Sequence, residues 1–130
     1  MACARLRRDG PFGRQRDIGV VGIRALAAGA LSDDGGLHRF SKAYSSLARA
    51  EVDADRVKAA VFRQYAEQGE SMAGFALRFA LSARSIDTVL VGISERSHLD
   101  EAVAAAQAGP LEQSRLHAVA ERFRELYEMA

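Results

Sequence analysis

A short apolar run that ends at a Gly-x-Ser turn, and passes directly into an amphipathic helix, limits what this chain can fold into more than any other feature. The run covers residues 87–91, the turn is Gly92-Ile93-Ser94, and apolar residues at helical spacing follow from Ser97. A strand that enters a helix in this way leaves free backbone N–H groups at the positive end of the helix dipole, where phosphate or another anion binds. The junction therefore predicts an anion site, with Ser97 and Asp100 forming a capping box.

A second apolar run, at residues 18–23, also lacks polar alternation, which is typical of a parallel strand buried on both faces. Residues 33–50 are rich in Gly, Ser, Asp and Arg, and we predict a long surface loop there. The predicted elements are parallel strands at 18–23 and 87–91, with helices at 55–68, 72–82, 97–107 and 112–127. The connection between the strands should be right-handed.

The helix signals also predict caps and buried faces. Asp53 or Asp55 would cap the first helix, and Ser71 would cap the second, which is apolar nearly all round and therefore mostly buried. The predicted inner faces of the other helices are Val57, Ala60, Val61 and Tyr65 in the first, Leu99, Ala102, Val103 and Ala106 in the third, and Leu116, Val119, Ala120, Phe123, Leu126 and Tyr127 in the last.

Composition and charge narrow the class of protein. The 130 residues, 48% of them apolar, suffice for one domain with one core. The single cysteine, Cys3, predicts a reducing compartment, and without a signal-like or membrane-spanning segment we expect the cytoplasm. Residues 1–16 contain five arginines and one acidic residue, Asp9, which gives this segment a net charge of +4. The rest of the chain has a net charge of −3. We predict a poorly ordered basic arm at residues 1–17; nucleic-acid binding is the weaker alternative, because Phe12 is its one aromatic residue.

Two parallel strands make an incomplete sheet, because both of its edges are open and it buries little apolar surface. Strands that are apolar on both faces require neighbours that this sequence does not encode. We therefore expect a piece of a larger sheet or barrel, of marginal stability as a monomer and prone to form homo-oligomers.

From Ile18 to its C-terminus the chain resembles the last third of an aldo/keto reductase. Residues 19–32 are similar to the seventh barrel strand of that family and the loop after it. Residues 75–82, 88–94 and 98–102 are similar to its seventh helix, eighth strand and eighth helix. The resemblance implies an α/β fold in which residues 18–130 form part of a TIM (β/α)8 barrel, namely the last two βα units plus a C-terminal helix.

The resemblance also implies a function, the reduction of small carbonyl substrates with NADP(H), or with NAD(H), bound at the C-terminal mouth of the barrel. The backbone of Arg24, Ala25 and Leu26 would line the pyrophosphate. The residues implied around the adenosine and its 2′-phosphate are Gly92, Ser94, His98 and Glu101, with Arg96 close by.

Three positions depart from the family pattern. Where the family has Ser-Pro-Leu, this chain has Arg24-Ala25-Leu26. His98 stands at the position of the family's phosphate-binding Arg, and Ala102 stands at the position of the Asn that follows its Glu. The choice between NADP and NAD therefore stays open. The residues assigned to the cofactor also have alternative, purely structural roles. Ser94 would only precede the helix cap, and Glu101 would be a solvated carboxylate on the helix surface.

The catalytic residues of the family are missing from this chain. Nothing matches its catalytic Tyr, its Lys and Asp partners, or the His that polarises the carbonyl. Tyr44, Tyr65 and Tyr127 lack a matching context, and the lysines are Lys42 and Lys58. A truncated reading frame would explain this pattern. No metal site is expected, because His38, His98 and His117 are far apart in sequence.

Two hypotheses of function follow. In the first, the chain is the cofactor-binding portion of an NAD(P)H-dependent aldo/keto reductase, inactive alone and active only if the remaining barrel is supplied. In the alternative, it is a non-catalytic barrel fragment that acts through association with itself or with a partner.

Overall fold

The structure, a computed structural model, describes residues 18–33 and 46–127. In chain order they form β1 (Val21–Gly22), a 3-10 turn (Ala27–Gly29), α1 (Ser46–Ala60), a 3-10 turn (Arg63–Tyr65), α2 (Met72–Leu81), β2 (Thr88–Val89), α3 (Arg96–Ala108) and α4 (Gln113–Tyr127). The predicted arm at 1–17 and residues 34–45 of the predicted loop lie outside the described residues.

The two strands pair in parallel, as predicted, with Val21 opposite Thr88 and Gly22 opposite Val89. The carbonyl of Val20 accepts a hydrogen bond from Asp87 N (2.9 Å), and that of Gly22 accepts one from Leu90 N (2.8 Å). The strands are shorter than the predicted 18–23 and 87–91, because each has one partner and the side chain of Asp87 takes over the amide of Val20 at 2.7 Å. The right-handed connection stays a prediction.

The helices cover one face of this sheet. Successive side chains of a strand point to opposite faces of the sheet. On the covered face the half-buried residues are Val20, Gly22, Val89 and Val91. On the other face Val21, Ile23 and Leu90 are 55%, 65% and 66% exposed. In the described part of the chain only the side of the sheet on which α2 contacts β2 is covered. This agrees with the expectation that the strands lack the neighbours that would bury both faces.

The core lies between α1, α2 and α4. Its buried residues are Ala59, Met72, Phe75, Leu111 and Val119. The predicted burial of α2 is confirmed, since residues 72–77 are all buried.

The N-terminus of α2 is fixed by two side chains. Ser71 caps it as predicted, with its Oγ accepting from Gly74 N at 2.9 Å. Asp33 accepts from Met72 N at 2.9 Å and from Arg63 Nη1 at 2.6 Å. Asp33 thereby ties the end of the loop after β1 to the beginning of α2.

The predicted first helix was wrong in its start, its end and its inner face. Helix α1 begins at Ser46, so residues 46–50 are helical rather than loop, and Asp53 and Asp55 lie inside the helix instead of capping it. It ends at Ala60 and the 3-10 turn follows, whereas the prediction extended it to residue 68. Val57 is 74% exposed, and Val52 and Ala59 are buried instead, because packing of Ala59 into the core sets the rotation of the helix.

Helix α3 differs from its prediction in its N-cap and in its buried face, whereas α4 agrees with its prediction in its start and in its buried stripe. The N-cap of α3 is Glu95, so Ser97 lies within the first turn and the predicted capping box is wrong. Leu99 and Val103 are 49% and 46% exposed, and Ala105 is the buried residue, since its short side chain faces the closely packed α2. Helix α4 begins within one residue of the prediction, and Val119 on its predicted stripe is buried.

A cluster of four charged side chains joins α2 to α4. Arg78 donates to Glu70 Oε1 (2.9 Å) and to the carbonyl of Gly109 (3.0 Å). Arg115 donates to the carbonyl of Tyr65 at 2.7 Å and pairs with both Glu67 and Glu70. The side chains of Arg78, Arg115 and Glu70 are only 11%, 14% and 11% exposed, so the pairs are largely desolvated.

These contacts change the acidity of Glu70. Burial raises the pKa of its carboxyl, but hydrogen bonds from the amide of Glu67 and from the guanidinium groups of Arg78 and Arg115 outweigh that effect and hold the pKa below the ordinary 4.5. A carboxyl whose pKa is lower in the folded than in the unfolded state stabilises the fold at any pH above its pKa in the unfolded state. That contribution is lost as the pH falls through its pKa in the folded state.

We expect Glu70→Gln to lower the free energy of unfolding by about 3 kcal/mol at neutral pH, because it leaves two largely buried guanidinium groups without their shared carboxylate. Urea denaturation followed by circular dichroism measures this change. Glu67→Gln is the matched control: Glu67 is 59% exposed, and its loss should cost about 1 kcal/mol or less.

The pH dependence tests the same cluster independently. Below the ordinary glutamate pKa of 4.5, the wild type should lose stability more steeply than Glu70→Gln, which lacks the titrating group. Equal losses in the two Gln variants, or parallel acid limbs of wild type and Glu70→Gln, would contradict a stabilising role of Glu70.

Candidate functional site

Two loops leave the sheet at the same edge, because they follow the carboxyl ends of two paired parallel strands. The first loop follows β1 and contains Arg24, Ala25 and Leu26. The second follows β2 and contains Gly92 and Ser94, with α3 beginning directly after it. The carboxyl edge of parallel strands is where ligands bind in open α/β sheets and in barrels. The structure thus brings the two predicted groups of site residues to one edge.

The backbone of the first loop is strained. Arg24, Ala27 and Ala28 have φ angles of 60°, 47° and 58°, and they are the non-glycine residues with positive φ in the described part of the chain. A left-handed conformation costs a residue with a Cβ about 1–2 kcal/mol, and such strain is concentrated at functional sites. Backbone hydrogen bonds hold the loop, among them those from Ala27 N to Arg24 O (2.9 Å), from Gly29 N to Leu26 O (2.9 Å) and from Leu31 N to Leu26 O (3.2 Å).

Sequence reasoning missed this strain. The run of small residues indicated close backbone approach, but alanine carries no signal for a left-handed conformation, and Gly29 (φ 95°) was the one residue that could have suggested it. The side chain of Arg24 is exposed at this loop, and Ala25 and Leu26 are half-buried.

The second loop confirms the predicted strand–turn–helix junction. Gly92 is exposed, and a Cβ there would meet no atom within 4 Å. Glu95 is the N-cap of α3 with an extended backbone, and its side chain makes no capping hydrogen bond. The amide of His98 in the first turn donates to the carbonyl of Glu95 at 3.1 Å. The N-terminus of a helix is a position at which anions bind.

One side-chain contact joins the predicted residues of this loop. Ser94 Oγ lies 3.1 Å from His98 Nδ1, which places the hydroxyl and the ring side by side at the helix N-terminus. His98 lies in the first turn of α3 and is half-buried, as is Glu101 one turn further along. Arg96 is 91% exposed, with its Nε 3.9 Å from Asp100 Oδ2. Assignment of these residues to a nicotinamide cofactor stays a prediction.

The tyrosine and lysine candidates of the described region belong to neither loop. Tyr65 packs against the core, with its ring centroid 6.3 Å from that of Phe62, as expected for a structural aromatic residue. Lys58 lies on α1, 4.0 Å from Asp55. Tyr44, Lys42 and the side chain of Tyr127 lie outside the described residues.

Over 18–33 and 46–127, no three or more His, Cys, Asp or Glu side chains are grouped so as to hold a metal ion. Among the helices in those ranges, none has the length and apolar character needed to cross a membrane.

The strained loop gives a prediction of stability. Ala28→Gly should raise the free energy of unfolding by about 0.5–1 kcal/mol, because glycine adopts φ 58° without a Cβ clash and this gain exceeds the extra entropy of its unfolded chain. Ala104→Gly, at an exposed position inside α3, is the matched control and should lower the free energy of unfolding by about 1 kcal/mol. Thermal denaturation compares the two, and a loss in both variants would contradict a left-handed residue 28.

Comparison with known proteins gives one match. Neither the curated proteins nor the solved structures contain a significant match to the chain. The model of the aldo/keto reductase family matches residues 10–122, beginning eight residues before Ile18. Members of this family are oxidoreductases with a TIM-barrel-like α/β fold, and they generally use NAD(P)H. The family match covers most of the 130 residues, and the chain therefore belongs to the aldo/keto reductase family.

Proposed function

We propose that this chain is the cofactor-binding portion of an NAD(P)H-dependent aldo/keto reductase and forms the last two βα units of its barrel. Its role is to hold the dinucleotide, while the residues that protonate the carbonyl come from the rest of the barrel. Family membership carries this proposal, since it implies an oxidoreductase with a nicotinamide cofactor.

The geometry of the two loops fits the anionic part of such a cofactor. The loop after β1 exposes left-handed backbone beside Arg24, so the peptide groups can approach a pyrophosphate closely. The N-terminus of α3 offers the positive end of its helix dipole to a second phosphate. When bound, the nicotinamide ring supplies the hydride. The residues of this chain bind and orient the dinucleotide at the edge of the sheet.

The side chains at the beginning of α3 would decide the preference for NADP over NAD. The side chain of Arg96 is 91% exposed, and His98 lies within the same turn, with its Nδ1 3.1 Å from Ser94 Oγ. A charge-assisted hydrogen bond to phosphate is among the stronger polar contacts of a protein. We propose NADP as the preferred cofactor, with Glu101 and Gly92 lining the adenosine.

Titration of NADPH fluorescence tests this proposal. The chain contains no Trp, so the reduced nicotinamide gives the signal. We expect micromolar binding, and Arg96→Ala and His98→Ala should each weaken NADPH binding about tenfold, equivalent to about 1.4 kcal/mol, while NADH binding stays unchanged. Arg56→Ala is the matched control, because Arg56 is an exposed arginine on α1 and belongs to neither loop. No binding at millimolar NADPH would overturn the proposal and favour the non-catalytic barrel fragment.

Turnover tests the second half of the proposal. The purified chain should bind the cofactor without oxidising it in the presence of a simple aldehyde, because a general acid must lie within hydrogen-bonding distance of the carbonyl oxygen beside the nicotinamide. Absorbance of NADPH measures this directly. Carbonyl-dependent oxidation by the chain alone would show that its own residues supply the acid.

A further inference from the structure

The loop after β1 holds a backbone conformation that its own residues do not favour. Arg24, Ala27 and Ala28 have positive φ angles, whereas residues with a Cβ prefer negative ones. Such a conformation persists only where surrounding contacts fix it. The hydrogen bonds inside the loop, such as that from Leu31 N to Leu26 O, close it locally but join it to no other element. The contacts between the loop and the helices therefore decide whether this conformation is kept.

Two apolar residues near the end of the loop are covered by the rest of the protein. Ala30 is buried, with 4% of its surface exposed. Leu31 packs against the core cluster that includes Met72 and Phe75. Apolar packing has no preferred direction, so these contacts hold the loop near the helices without setting its orientation. Orientation depends on hydrogen bonds, whose geometry is directional.

Asp33, at the end of the described part of the loop, makes these directional contacts. Its Oδ1 accepts from Arg63 Nη1 at 2.6 Å, and its Oδ2 accepts from Met72 N at 2.9 Å. The preceding residue, Ser32, donates through its Oγ to the carbonyl of Gly29 at 2.7 Å. One carboxylate thus joins the loop to a 3-10 turn and to the first turn of α2, and Ser32 extends the connection back toward the strained segment.

The two contacts of Asp33 differ in strength. The side chains of Arg63 and Asp33 are 51% and 49% exposed, so water screens this ion pair and its contribution is small. The hydrogen bond from Met72 N is part-buried. It is also charge-assisted and lies at the positive end of the dipole of α2. The contact with Met72 N is therefore the stronger attachment of the loop.

We propose that Asp33 is a positioning residue for the dinucleotide. By fixing the end of the loop to α2, it keeps the left-handed segment from Arg24 to Ala28 in the conformation that faces the pyrophosphate. Asp33 acts through the loop and not by contact with the cofactor. The ligand in this inference rests on the proposed function, whereas the attachment of the loop is measurable without any ligand.

Hydrogen exchange, followed residue by residue by NMR, tests the attachment without a ligand. Asp33→Ala should speed exchange of the amides of Gly29 and Leu31 about tenfold, because the loop then opens locally while the rest of the protein stays folded. Ser71→Ala is the matched control. Ser71 Oγ accepts from Gly74 N inside α2, so this variant also weakens the N-terminus of α2. It should leave the two loop amides at their wild-type rate.

The affinity for NADPH, measured by fluorescence titration, tests the positioning. Asp33→Ala should weaken binding about tenfold, whereas Ser71→Ala should bind NADPH as the wild type does. The double variant Asp33→Ala/Ala28→Gly should recover part of the loss, because glycine adopts φ 58° without the strain that Asp33 otherwise offsets. A residue that only stabilised α2 would not give this recovery.

Asp33→Asn is a second variant, and it decides the question if Asp33→Ala does not fold. Its amide oxygen can still accept from Met72 N, but without the charge. Its loop exchange and its NADPH affinity should therefore lie between those of the wild type and those of Asp33→Ala. Loop amides that exchange at the wild-type rate in the Asp33 variants would overturn the proposal, as would faster exchange with unchanged NADPH affinity. A wild type that binds no NADPH would instead refute the proposed function, and the exchange rates would still show whether Asp33 holds the loop.

Discussion

The largely buried Glu70 carboxylate, shared between Arg78 and Arg115, is the contact on which the arrangement of the helices depends. Arg78 comes from α2, Arg115 from α4, and the same two guanidinium groups also reach the carbonyls of Gly109 and Tyr65. The cluster thus links α2 to α4 beside the core formed by Met72, Phe75 and Val119. Arg115 additionally lies over the ring of Phe75, 5.6 Å from its centroid, so the polar cluster and the apolar core are in direct contact.

Helices on one side of a two-stranded sheet have two consequences for function. The carboxyl edge of the strands presents the two loops that we propose as the cofactor site, and the open face and outer strand edges present an apolar surface. A family whose fold is a closed barrel accounts for both features, because a barrel buries strand edges and collects its βα loops at one mouth.

The candidate site was predictable where its signal is local. The strand–turn–helix junction at Gly92 and Ser94 could be predicted from an apolar run, a glycine and a helical period, and the structure places them as expected. The left-handed conformations of Ala27 and Ala28 could not be predicted, because they are imposed by loop hydrogen bonds and not by the preference of alanine. The Ser94–His98 contact was equally hidden, since it depends on how the turn after β2 places Ser94 against the first turn of α3.

The sequence alone determined which segments become strands and helices, which one is the buried α2 with its Ser71 cap, and the family to which the chain belongs. Those properties depend on residues close together along the chain. Only the tertiary structure decided which side of each element is buried. Ala59 and Ala105 face inward in place of Val57, Leu99 and Val103, because close packing against a neighbouring helix selects the residue that fits and not the most apolar one. The tertiary structure also decided that one face of the sheet stays exposed, because no helix of the described residues packs against it.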